Sequence, residues 1–166
     1  MGTRGFYGFK KDGEYKVTYN HFGSYPDGGL GKDVVRFCES TSIEEMKKIF
    51  DEIEMVDQNI DPTEEQIKHC VPWTDLSVSN QSTSNWYCLL RKAQGDLEAY
   101  KNGLKYMNDD SWALTKKDSW LEYGYVINLD DNTLDFYTHM GSEPDLKIPF
   151  DRLDGALQEM VDFEGR

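Results

Sequence analysis

Long apolar runs are missing from this chain. No stretch approaches the roughly 18 apolar residues that a membrane span needs, and no basic-then-apolar leader is visible, so the sequence predicts neither membrane insertion nor secretion and points to the cytoplasm. Cysteine is scarce. Cys38, Cys70 and Cys88 form an odd count with no Cys-x-x-Cys or His-x-x-x-His spacing, which excludes a readable zinc site and fits buried thiols in a reducing compartment. No Asp-x-Asp-x-Asp-Gly loop is present either, so neither a metal nor another cofactor is expected. Positive charge is also short, with 18 Lys and Arg against 31 Asp and Glu and a net charge of −13. A chain so acidic is a poor binder of nucleic-acid backbone, which demands basic clusters, and suits a partner with a basic surface instead.

What the chain does have is aromatic side chains, 13% of 166 residues, including ten tyrosines and four tryptophans. Their polar tips need partners, which argues for a core edge rather than a deep apolar interior. The length fits one domain, 1–166. The charge is uneven: residues 39–65 carry ten acids and two bases, whereas residues 1–38 carry six bases and four acids.

The densest turn chemistry is His21 to Gly31, HFGSYPDGGLG, with four glycines and a proline between a hairpin pattern and a helical one. Ahead of it, Phe6 to Lys10 and Tyr15 to Tyr19 alternate around Asp12-Gly13, the dipeptide favoured in a two-residue type I′ turn. That turn sets Lys10 opposite Tyr15, Gly8 opposite Val17 and Phe6 opposite Tyr19, and puts Phe6, Tyr15, Val17 and Tyr19 on one face. Behind the loop, Leu30, Val34, Phe37 and Cys38 keep helical spacing. Ser42 to Glu45 reads as a capping box opening a second helix with Met46, Ile49, Phe50 and Ile53 inward. Asp61-Pro62 reads as the start of a third. Residues 74–85, rich in Ser, Thr and Asn, read either as a mobile loop or as one that contacts a partner. Trp86 to Tyr100 restarts a helical stripe, with Gly95 as its weak point. A second hairpin is predicted over Trp120 to Met140, and a last helix over Phe150 to Phe163. The sum is an α+β fold: an antiparallel sheet built from two β-hairpins, packed with about five helices.

Three candidate chemistries follow. The glycine loop precedes a helix and could receive an anion at the helix N-terminus, with Arg4, His21, Ser24, Tyr25 and Lys32 as contacts, although it matches neither a P-loop nor a dinucleotide fingerprint. Thr3 before a strand evokes N-terminal-nucleophile hydrolases and their αβ layers, but Met1 and Gly2 precede it, so only the layout compares. The histidines His21, His69 and His139 lie far apart, with His21 and His139 each at a hairpin exit, where they could converge.

The segments MGTRGFYGF, YNHFGSYPDGGLG, GDLEAYKNG and EYGYVINLDDNTLDFY together resemble a group of small uncharacterised proteins of bacteriophages, bacteria and some fungi. The chain departs from that pattern by the extra glycine of Gly28-Gly29 and by Asn128 where an aspartate is expected. The resemblance implies a phage or mobile-element setting and no particular reaction. Residues and resemblance together favour a non-enzymatic protein that binds or inhibits a host or defence protein through Glu44, Glu45, Asp51, Glu52 and Glu54. The alternative is a binder or hydrolase of an anionic small molecule or nucleotide, using residues 21–31.

Overall fold

The structure, a computed structural model, describes residues 3–115, 121–138 and 143–164. Trp120, His139 and Met140, expected in or at the exit of the second hairpin, lie outside these residues.

Strands β1 (Gly5–Lys11) and β2 (Glu14–Asn20) form the first hairpin in the predicted register, with Phe6 opposite Tyr19, Gly8 opposite Val17 and Lys10 opposite Tyr15. Asp12 and Gly13 both take positive φ, 53° and 76°, as the I′ turn requires. The second hairpin is β5 (Tyr123–Asn128) and β6 (Thr133–Tyr137), and a strand not foreseen, β7 (Leu146–Pro149), extends it. The hairpins join into one five-stranded sheet ordered β2-β1-β5-β6-β7. The sheet is mostly antiparallel, but its central joint is not: β1 runs parallel to β5, with Gly5 beside Tyr123 and Phe9 beside Ile127. A parallel pair needs a long crossover, and the chain between β2 and β5 supplies it. Because β1 and β5 point the same way, both hairpin turns lie at one end of the sheet and both strand starts at the other. Asp130, in the second turn, accepts hydrogen bonds from the backbone amides of Asp12 (2.6 Å) and Gly13 (3.0 Å) in the first.

Helices α1 (Leu30–Ser40), α2 (Ile43–Glu52) and α6 (Ala156–Glu164) pack on one sheet face, where Tyr7, Phe9, Tyr125, Ile127, Leu134 and Phe136 meet Val34, Phe37, Phe50 and Met160. The opposite face carries a smaller cluster, in which Phe6, Val17, Val126 and Tyr137 are covered by Ala113, Leu114 and Leu121. Leu121 packs on this second side, just ahead of the strand, which begins at Tyr123. Phe6 lies over Gly124, where an added Cβ would come within 2.1 Å of its ring.

Several elements differ from expectation. Ser42 caps α2 by accepting the Glu45 amide, whereas the full reciprocal box occurs at α3 (Glu64–His69), between Thr63 and Gln66, two residues past the Asp61-Pro62 start. The long helix expected from Trp86 is three short turns: α4 (Trp86–Leu89), a 3-10 turn at Arg91–Ala93 and α5 (Glu98–Lys101). Gly95, at φ 79° and against the Asn20 side chain, explains the break. The last helix is likewise a 3-10 turn over Phe150–Gly155 leading into α6. Strands β3 (Glu54–Val56) and β4 (Tyr106–Asn108) form a separate parallel pair that the sequence does not announce. The serine-rich segment folds around Asn85, whose Nδ2 donates to Ser79 Oγ and Asn80 Oδ1 while its Oδ1 caps α4 by accepting from the Tyr87 amide. Among the described residues, no helix is long and apolar enough to cross a membrane.

Candidate functional site

Edge strand β2 and the broken segment 86–101 enclose a hollow of about 80 Å³. Five aromatic side chains line it, Tyr7, Tyr19, Trp86, Tyr87 and Tyr100, together with the amides Gln58, Gln94 and Asn108 and with Thr18 and Asp110. Alternation along the strands turns Tyr7 and Thr18 toward the helical face, and the three short turns bring Trp86, Tyr87, Gln94 and Tyr100 against them.

Asp110 fixes the base of the hollow. Its carboxylate accepts from Thr18 Oγ1 (3.1 Å), the Tyr19 amide (2.9 Å), Asn108 Nδ2 (3.0 Å) and Trp112 Nε1 (3.1 Å), and its own amide donates to Val17 O. These bonds also occupy the free edge of β2, which would otherwise expose unpaired backbone groups. Since a carboxylate only accepts, the Asn108 amide must present its NH2 to Asp110. Its Oδ1 is thereby left buried with no hydrogen-bond partner. Tyr7 is committed on both sides, donating to Ala93 O and accepting from the Gly95 amide. Burial raises the pKa of Tyr7 and Tyr100, so these phenols stay protonated at neutral pH.

At the rim, Tyr19 Oη and His21 Nδ1 are 2.6 Å apart, and the His21 amide donates to Gln94 Oε1. Burial lowers the His21 pKa, and the positive charges of Arg4 and Arg91 lower it further. Burial raises that of Tyr19, while the charge of Arg4 and its hydrogen bond to the Tyr19 side chain work against the rise. Phe22, exposed at the loop's start, stacks edge-on against His21 with 4.3 Å between ring centres, and the Arg91 guanidinium lies 5.8 Å from the Phe22 ring centre.

The residues singled out in the sequence therefore separate. Arg4 and His21 come together beside Tyr19. Ser24 is fully buried and structural: its hydroxyl accepts from Asn20 Nδ2, its amide donates to Thr3 O and its carbonyl accepts from Tyr125 Oη. Tyr25 is exposed and leans on the Tyr123 ring, and Lys32, on the first turn of α1, lines no part of the hollow. The glycine loop is no open cradle, because the Leu30 and Gly31 amides donate to Gly23 O and Tyr25 O within the loop. Thr3 is buried.

The acidic set lies elsewhere. Glu44 and Glu45 sit on the first turn of α2, Asp51 and Glu52 on its last, and Glu54 on β3. Lys47 and Lys48 share their groove, and Asp51 pairs with Lys11 at 2.9 Å, so this surface has mixed sign. Among the described residues no group of three or more His, Cys, Asp or Glu side chains could hold a metal ion. His69 accepts from the Lys105 amide and packs against Trp73 and Tyr106.

Tyr19, Tyr87, Gln94, Asn108 and Asp110 were not legible as a site, since no motif links them. The one signal was the excess of tyrosine and tryptophan in need of polar partners. Compared with protein-family models, curated proteins and solved structures, the chain matches none.

Proposed function

We propose that the protein binds a small, planar, hydrogen-bonding ring in the hollow beside β2. The observation that carries this reading is the convergence of five aromatic side chains and three amides, from separate stretches of chain, on one space. Aromatic walls offer stacking surface and a few placed amides fix orientation, which is how small-molecule sites are commonly built. At about 10–15 Å³ per water, the space holds roughly six waters, the size of a single heterocycle. Phenols held protonated and amides supply binding chemistry rather than a nucleophile. The acidic docking surface is the weaker proposal, because lysines interleave with its carboxylates.

Calorimetric titration with a panel of nucleosides and free heterocycles carrying ring N–H groups tests the reading. We expect binding to at least one member, weakened tenfold or more in Tyr87→Ala, a change at a half-buried wall residue. Flat titrations throughout, with the variant and the parent alike, would refute it.

A further inference from the structure

We propose that the ring bound in this hollow is a cation, a heteroaromatic ring with a fixed positive charge such as an N-alkylated pyridinium. This inference rests on the pocket reading and adds the charge of the ligand.

The carboxylate at the base is the first ground for it. Asp110 is buried and lines the hollow. Its four hydrogen bonds come from a hydroxyl, a backbone amide, a side-chain amide and an indole, all of them neutral. Among the described residues no Lys, Arg or His forms an ion pair with it. A carboxylate withdrawn from water without a counter-cation is costly, and a positive charge in the space beside it offsets that cost.

The rest of the lining is electron-rich as well. It contains no Lys, Arg or His. Tyr7 Oη donates to Ala93 O, Tyr100 Oη to Tyr106 O and Trp86 Nε1 to Ile60 O, while Thr18 Oγ1 and Asn108 Nδ2 donate to Asp110 itself. Five lining residues thus commit a side-chain donor to protein acceptors, and Asn108 Oδ1 is left as a buried acceptor with no partner. The five aromatic rings add negative π-faces, which attract a cation most strongly where water is displaced. Gln58 and Tyr87 also line the space and can orient a polar substituent on the ring. The guanidinium groups of Arg4 and Arg91 bear on His21 at the rim and are not part of the lining, so the positive charge belongs on the ring and not on a tail at the mouth. The net charge of −13 draws cations from a distance, an effect that salt screens, whereas a buried carboxylate acts at close range and is screened much less.

Calorimetric titration of the full chain with 1-methylnicotinamide, with its uncharged isostere 3-methylbenzamide and with tetramethylammonium tests this. The expected result is that 1-methylnicotinamide binds about tenfold or more tightly than 3-methylbenzamide, and keeps that advantage in about 0.5 M sodium chloride. Asp110→Asn, which keeps the shape and removes the charge, should bring the two to equal affinity, and a circular dichroism melt checks that it folds. Tyr87→Leu, which keeps an apolar wall and removes its π-system, is the second variant and should narrow the gap. Equal affinity of the two compounds in the parent protein would overturn the cation and leave the pocket reading standing. So would an advantage that vanishes in salt or survives both substitutions. Tetramethylammonium binding as tightly as 1-methylnicotinamide would overturn the ring, and silence from these compounds and from the neutral heterocycles would overturn both readings.

Discussion

Asp110 accepts four hydrogen bonds from three elements, so its removal leaves one buried and three half-buried donors without their acceptor. Each unsatisfied buried donor costs about 1–3 kcal/mol. Asp110→Ala should therefore destabilise the protein by about 3 kcal/mol or more, read as a lower urea midpoint; a loss under about 0.5 kcal/mol would mean that water satisfies those donors. Gly124→Ala makes a packing demand instead, because its methyl group would collide with the Phe6 ring. Overpacking of this kind costs about 1–3 kcal/mol. His21 gives the third residue-scale expectation. Burial, Arg4 and Arg91 hold its pKa below the ordinary 6.5. A base with a depressed folded pKa binds its proton more readily when unfolded, so its contribution disfavours the fold as pH drops below about 6.5. Arg91→Ala removes one of the causes and should raise the NMR titration midpoint of the imidazole; an unchanged midpoint would separate Arg91 from the rim. Asn128 uses both ends of its side-chain amide. Its Nδ2 donates to the carboxylates of Asp131 and Asp135 while its Oδ1 accepts the Asp130 and Asp131 amides, and an aspartate there could only accept.

At the scale of elements, the parallel joint of β1 and β5 makes a contact between turns possible. Asp130 holds the Asp12-Gly13 turn of the other hairpin, and those two backbone bonds are the main reason its pKa lies below the usual carboxylate value. A depressed acid stabilises the fold above its unfolded pKa, and the benefit fades as pH falls through the folded value. Asp130→Ala should accordingly lower the Tm at pH 7, and the two melting curves should converge in strong acid. A gap that stays constant down to about pH 2 would assign the loss to something other than this charge. The first hairpin was legible because its turn, register and faces are local: Asp12-Gly13 fixes all three. The broken segment 86–101 was not, because Trp86, Leu89, Leu90 and Ala93 keep helical spacing while Gly95 adopts a backbone that ends the helix. Lys16 was equally hidden. Set in a strand of alternating character, it points into the helical face and donates to Phe50 O and Ile53 O at the end of α2.

At the scale of the whole molecule, the sheet and the pocket differ in how they are held. β1 and β5 each have hydrogen-bonded strands on both sides, whereas the wall facing β2 across the hollow consists of two one-turn helices and a 3-10 turn. The first arrangement was readable from two hairpin patterns, apart from the added strand β7 and from its parallel joint, which depends on pairing residues more than a hundred positions apart. The site was not readable, because Tyr7, Tyr19, Tyr87 and Asn108 meet only after the crossover has folded. That difference should appear in hydrogen exchange. Amides of the central strands need opening of the sheet itself, while those of residues 86–101 can exchange through local fraying at a lower free energy. A bound ring spans both sides of the hollow, so it should slow exchange across 86–101 and leave the fastest loop amides unchanged. If 86–101 exchanges as slowly as β1 and β5 in the free protein, the wall is part of the rigid core, and the hollow is a fixed gap in packing rather than a site that closes on a ligand.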